Sequence, residues 1–187
     1  MWRDLVKKTF GFFDGSASLT FFRARTRPER NSMERPRAWV RYVEEKYGTT
    51  LRHAAGRIPL ANLLATQSEI EQVKYDLVRH EGFRINEPVL AYKARGGAYY
   101  IIDGHTRARV LADQGQETIA ANLYTSSDAD VDAEVQRTAA TAGGGDALYI
   151  TDMPVADRLG RGTEAWNLRR EELLRKWDRE SAAGDSA

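Results

Sequence analysis

Five consecutive residues, Asp103-Gly104-His105-Thr106-Arg107, carry the clearest chemical signal in this sequence. They follow Tyr99-Tyr100-Ile101-Ile102, an aromatic and β-branched run, and lead into Ala108-Arg109-Val110-Leu111, which reads as a helix. A strand that turns directly into a helix leaves the first helical N–H groups without intrahelical partners, and the helix dipole draws anions to that end. Gly104 lets a ligand approach the backbone closely, and the guanidinium of Arg107 has the fork geometry that fits phosphate oxygens. Asp103, at the strand end, has three roles open to it: capping the helix, holding Mg²⁺, or taking a proton from a substrate hydroxyl. His105 is one of three histidines, with His53 and His80, and none has metal-ligand spacing, so no dedicated metal site is expected.

The parts around this turn resemble the ParB/sulfiredoxin superfamily. In order they read Arg57-Ile58-Pro59-Leu60, then Thr66-Gln67-Ser68-Glu69 with a helix to His80, then Gly82 and Pro88-Val89-Leu90-Ala91-Tyr92. The Gly96-Gly97 turn, Asp103-Gly104-His105-Thr106-Arg107 and Thr118-Ile119-Ala120-Ala121-Asn122-Leu123 complete the likeness, which runs from Arg57 to Thr125. It implies a small α+β core with a mixed sheet, and a nucleotide whose phosphates lie on Gly104, His105, Thr106 and Arg107. In the small-molecule kinases of the superfamily, the free-serine-kinase-like members, the turn reads Asp-Gly-His-His-Arg. Asp103, Gly104, His105 and Arg107 match and Thr106 departs, so the likeness makes Asp103 and His105 candidate catalytic residues. Those kinases also carry a catalytic Glu in the polar turn before the first helix. Glu69 is the candidate for that role, although Ala65-Thr66-Gln67 replaces the Pro-His-Glu pattern, and Glu71 is the other carboxylate nearby. Thr66 and Glu69 also have capping-box spacing, which gives Glu69 a purely structural reading. Sulfiredoxins place a catalytic Cys where this chain has His105. The sequence contains no Cys, and sulfinic-acid repair is thereby excluded.

The function that follows is ParB-like nucleotide binding, with Mg²⁺-dependent phosphotransfer to, or hydrolysis at, a small hydroxyl compound. The nucleotide is ATP or ADP, with CTP as a variant. Such chemistry rests on positioning and electrostatics and needs few residues. Two alternatives belong to other classes. One is a non-enzymatic, partition-type nucleotide switch that meets DNA without reading an operator. The other is an inactive adaptor docking a partner through the C-terminal Trp-bearing helix. Non-specific nucleic-acid contact would use Arg23 to Arg41, with Trp39 or Phe22 stacking on a base. Only 62 residues follow Thr125 and their charge is acidic, which argues against an added operator-reading domain.

The elements that must hold these residues can be read from pattern. A chain of 187 residues with 42% apolar and 29% charged residues suits one soluble domain with appendages. No stretch has the length of a membrane span and Met1-Trp2-Arg3-Asp4 is no signal peptide, so a cytoplasmic location is expected. A homodimer is compatible with the sequence. Charge divides the chain unevenly: residues 1–50 hold 11 Lys and Arg against 6 Asp and Glu, residues 51–125 hold 9 against 8, and residues 126–187 hold 8 against 13. We therefore expect a basic aromatic N-terminal extension over 1–56, the α+β core over 57–125, and an acidic, mostly helical extension over 126–187.

Phe10–Phe13 and Leu19–Phe22 read as irregular apolar clusters, followed by a helix capped at Asn31 with Glu34 reaching back. Trp39, Val40 and Val43 give that helix one apolar side, and Gly48 ends it after Tyr47. Within the core, Ile70, Val73 and Leu77 give the first helix its apolar face. Val89–Tyr92 and Ala98–Ile102 are strands joined at Arg95-Gly96-Gly97, Gly115 ends the helix after Arg107, and Thr118–Leu123 is the last strand. Thr141–Asp146 reads as a flexible linker. The final helix, Thr163 to Glu180, sets Trp166, Leu173, Leu174 and Trp177 on one stripe that packs on the chain's own core.

Overall fold

The structure, a computed structural model, describes residues 34–185. The clusters Phe10–Phe13 and Leu19–Phe22, the arginines Arg23 to Arg30 and the Asn31 cap lie outside the described residues. In chain order the elements are α1 (Glu34–Tyr47), β1 (Arg52–Pro59), β2 (Leu63–Leu64), β3 (Ile70–Glu71), α2 (Gln72–Glu81), β4 (Val89–Lys93) and β5 (Tyr99–Asp103). After them come α3 (His105–Asp113), β6 (Thr118–Thr125), α4 (Ala129–Ala142), a 3-10 turn (Ile150–Asp152), β7 (Val155–Ala156) and α5 (Glu164–Asp185).

The fold is α+β, with a mixed five-stranded sheet in the order β1-β6-β4-β5-β2. β1 runs antiparallel to β6, β6 parallel to β4, β4 antiparallel to β5, and β5 parallel to β2. The β4–β5 hairpin closes at the expected glycines, with Gly97 N–H donating to the Ala94 carbonyl at 2.9 Å and Gly97 at φ +90°. Because successive strand residues face opposite sides, the sheet has two cores. On one side Val89, Ala91, Ile101, Ile119 and Ala121 pack under α2 and α3, with Ile150 and Met153 fully buried among them. On the other, Leu90, Tyr92, Tyr100, Ile102 and Tyr124 pack under α1 and α4.

Trp39 of α1 has no exposed surface and meets Tyr92 and Tyr124 edge-on, at 5.9 and 6.0 Å between ring centres. Gly48 ends α1 with φ +62°, as the pattern predicts. Carboxylates fasten this second layer. Asp132 of α4 accepts from the Tyr92 hydroxyl at 2.6 Å and Arg95 Nε at 2.8 Å, and Glu134 gathers Tyr42, Tyr47 and Lys46 of α1. Burial alone would raise Asp132, but its hydrogen bonds from Tyr92 and Arg95 outweigh burial and hold the carboxyl below its ordinary value. Segments on both sides of 57–125 thus complete the core.

Three local expectations are corrected. Thr66 and Glu69 form no capping box: α2 begins at Gln72, behind Glu71 at the N-cap, with no side-chain cap bond. Distant partners win over the local ones here. Ile70 belongs to β3, pairs in parallel with Val155 of β7, and donates its N–H to the Pro154 carbonyl at 2.8 Å. Thr118–Leu123 is accordingly not the last strand. The glycines after α4 form a hydrogen-bonded turn, with Gly145 N–H on the Ala140 carbonyl at 2.8 Å. Among the described residues, no helix is long and apolar enough to cross a membrane.

Candidate functional site

The strand-to-helix turn forms where the sequence puts it. β5 stops at Asp103, Gly104 takes a left-handed conformation (φ +98°, ψ +19°), and α3 starts at His105 with no side-chain cap and no acidic residue in its first turn. The glycine answers to the protein's own packing as well as to any ligand. A Cβ at Gly104 would stand 2.6 Å from Val89 Cγ1 and 2.7 Å from Arg107 Nη2.

Arg107 is 7% exposed, and its guanidinium reaches acceptors within the chain. Nη1 donates to the Glu87 carbonyl at 2.9 Å and the Pro88 carbonyl at 3.3 Å, while Nη2 donates to Asp103 Oδ2 at 3.2 Å. The Glu87 carboxylate adds an ion pair at 3.6 Å. The residue expected to fork onto phosphate therefore clamps the turn to the start of β4. The sequence holds no sign of this, because Glu87 lies twenty residues upstream.

His105 is 5% exposed. Its Nε2 accepts from the Thr66 N–H at 3.1 Å, and the Thr66 hydroxyl donates to the Ile101 carbonyl at 2.6 Å. A backbone N–H can only donate, so the imidazole proton sits on Nδ1. Burial pushes His105 down to about 4 against the pull of Asp103, so the ring is neutral at physiological pH. Thr106 is half-buried in the same first turn.

Glu69 stands apart from this group in its bonding. It takes a two-pronged ion pair from Arg158 at 2.6 and 2.7 Å, which holds its carboxyl below the ordinary value. The structure instead brings in a residue that sequence reasoning missed. Lys74 is the third residue of α2, half-buried, with Glu71 Oε2 at 3.5 Å, and it lies near enough to Asp103 and His105 to bias their charges. Burial outweighs its carboxylate neighbours and holds Lys74 below the ordinary lysine value. Its role becomes visible only once α2 is known to start at Gln72, which puts Lys74 in a first turn. Two helices without side-chain caps thus carry a cation in their third position, Lys74 and Arg107, and both cations act electrostatically on Asp103.

Among the described residues, no group of three or more His, Asp or Glu could hold a metal ion.

No family model matches the chain, and no curated protein matches it. Among solved structures it is similar to the protein Atu1540 from Agrobacterium tumefaciens, at 21% identity and a TM-score of 0.42. That likeness covers 57% of this chain and 63% of the Agrobacterium chain.

Proposed function

We propose that this chain is a nucleotide-binding protein of the ParB/sulfiredoxin type, acting in the cytoplasm, with a polyphosphate seated between the first turns of α2 and α3. The observation that carries the reading is the pair of helix starts. Neither has a capping side chain or a first-turn carboxylate, and each carries a cation at its third position. Cations there oppose the helix dipoles, and an anion between them relieves that opposition. Lys74, the Thr106 hydroxyl and the first amides of α3 would take the phosphate oxygens, while Arg107 fixes the shape of the turn.

The chemistry that fits is Mg²⁺-dependent phosphotransfer to a small hydroxyl compound, or nucleotide hydrolysis. Asp103 would hold the ion, which when bound offsets charge on the phosphates, or would take the proton of the attacking hydroxyl. A second reading, a nucleotide switch without turnover that touches nucleic acid through Arg23 to Arg41, has its own support. Each expected catalytic side chain already has a protein partner: Asp103 has Arg107, His105 has Thr66 and Glu69 has Arg158.

A thermal-shift panel of ATP, ADP and CTP with Mg²⁺, followed by calorimetry and phosphate-release assays, tests both. Binding is expected, and Lys74→Met should weaken it about tenfold or more, the worth of a charge-assisted bond, without lowering Tm. No stabilisation by any nucleotide at millimolar concentration would overturn the reading. Binding without phosphate release or transfer would select the switch.

A further inference from the structure

Strand β1 is an edge strand longer than the strands inside the sheet. It has eight residues and pairs with β6 over all of them, while β4 and β5 have five residues each. Among the described residues, no strand lies on its outer side. Ile58 is its one buried residue, and Arg52 to Arg57 are all exposed. Sheet proteins commonly guard such an edge with a bulge, a proline within the strand, or a charged side chain laid over it. Here the register runs unbroken and Pro59 stands at the last position. The long side chains turn away from the edge. Arg57 reaches across β6 to Thr118, donating to its Oγ1 at 2.9 Å and its carbonyl at 3.0 Å. His53 leans on Tyr124, with 4.9 Å between ring centres, and its Nε2 stands 3.1 Å from Asn122 Oδ1. Between these two residues only Ala54, Ala55 and Gly56 flank the outer backbone.

We infer that this edge takes a second copy of the chain, the two β1 strands pairing antiparallel about a two-fold axis at Ala55. The strand is its own complement. An axis perpendicular to the sheet keeps every side chain on its own face, so opposed residues must be an even number apart. Arg52 and Arg57 are five apart and never oppose each other. Centring on Ala55 uses residues 52–58 and leaves out Pro59, which has no N–H to give. Ala55 then faces the partner's Ala55, Ala54 the partner's Gly56, His53 the partner's Arg57, and Arg52 the partner's Ile58. The small residues at the centre let the two backbones approach. The pairing also closes on itself. At the far edge β2 has two residues, and Leu64 is already bridged to Tyr149, so the dimer offers a third copy no long edge. The product is one ten-stranded sheet. Strands β6 and β4 stand between the interface and β5, so the two Asp103 turns remain clear of it and the inference is independent of the nucleotide reading. A seven-residue strand pair runs about 23 Å and buries less than the roughly 1,200 Å² of a standard stable interface, so dissociation belongs in the micromolar range.

The sequence has no cysteine, which makes the register directly readable. Ala55→Cys sets two thiols at the axis, where opposed Cβ atoms stand about 4.5–5.5 Å apart, at the margin of disulfide reach. Under mild oxidation the full chain with this change should form disulfide-linked dimer about tenfold faster than Ala165→Cys, an equally exposed position on α5. Sedimentation velocity of the wild-type chain should show monomer giving way to dimer across the micromolar range. Ala55→Lys opposes two ammonium groups at the axis and should weaken the dimer about tenfold or more, with Tm of the dilute protein unchanged. If that variant proves unstable, the cysteine pair still decides. A wild-type chain that stays monomeric at millimolar concentration overturns the inference, as does a dimer that a folded Ala55→Lys chain forms equally well. Equal cross-linking of the two cysteine variants overturns it too, and so does assembly that runs on past the dimer.

Discussion

His105 offers a measurement of how the turn is built. Its ordinary pKa is 6.5 and burial takes it to about 4 in the folded chain. Below about pH 6.5 the unfolded chain therefore binds a proton that the folded chain refuses, and stability falls with pH until about pH 4, where both forms are protonated. Each unit of separation is about 1.4 kcal/mol, so this one side chain accounts for roughly 3 kcal/mol lost between pH 7 and pH 4. Carboxylates titrate over part of the same window, so the informative quantity is a difference between two chains. His105→Gln can still accept from the Thr66 N–H but does not titrate. Urea unfolding followed by tryptophan fluorescence should find the Gln chain less stable than wild type at pH 7.5, by about 1–3 kcal/mol from altered packing. By pH 4.5 that gap should have closed by more than 2 kcal/mol, or reversed. Parallel loss of stability in the two chains would refute the buried neutral histidine, and with it the tautomer assigned to the site.

Other perturbations read neighbouring parts of the turn. Gly104→Ala places a Cβ against Val89 at a positive φ, so we expect a loss of about 2 kcal/mol or more by chemical unfolding; a neutral effect would mean that β4 and α3 separate easily. Arg107→Ala leaves Asp103 and the carbonyls of Glu87 and Pro88 without their donor, and should cost roughly 2–3 kcal/mol in the same assay. Lysine at that position should restore little, because it cannot span the same acceptors. Glu69→Ala removes only an exposed pair with Arg158, so Tm and nucleotide affinity should both stay near wild type; collapse of turnover at unchanged Tm would restore the catalytic reading of Glu69.

What could be read from the sequence follows the range of the forces involved. The Asp103-Gly104 turn, the hairpin at Gly96-Gly97 and the end of α1 at Gly48 depend on backbone preferences within a few residues, and all three form as read. Of the stripe Trp166, Leu173, Leu174 and Trp177, Trp177 lies edge-on to Phe83 at 4.5 Å, and Phe83 packs against the core. The start of α2 was not legible. Thr66-Gln67-Ser68-Glu69 has the spacing of a capping box, but Ile70 answers to Val155, and nothing near residue 70 announces a strand arriving from there. The charge state of the site was hidden for the same reason. Arg107 looks unpaired until Glu87 folds against it, and Lys74 looks like any surface lysine until its helix start is fixed.

The two-residue pairing of β3 with β7 bears on the order in which the protein can be made. Residues 64–71 carry Thr66, the partner of His105, and lead into Lys74. Late backbone contacts hold that segment, namely the Leu64 bridge to Tyr149, the Ala65 N–H on the Leu148 carbonyl and the Ile70–Val155 ladder, beside the ion pairs of Glu69 with Arg158 and of Glu71 with Arg169. During synthesis from the N-terminus, the hairpin and the Asp103 turn exist as chain long before residues 148–155 do. A nascent chain can thus form most of the sheet while the loop under His105 still lacks its backing. The turn at Asp103 acquires its final surroundings only when the C-terminal third arrives, so a ribosome-bound chain can hold a formed sheet while the backing of Thr66 and His105 is still to come.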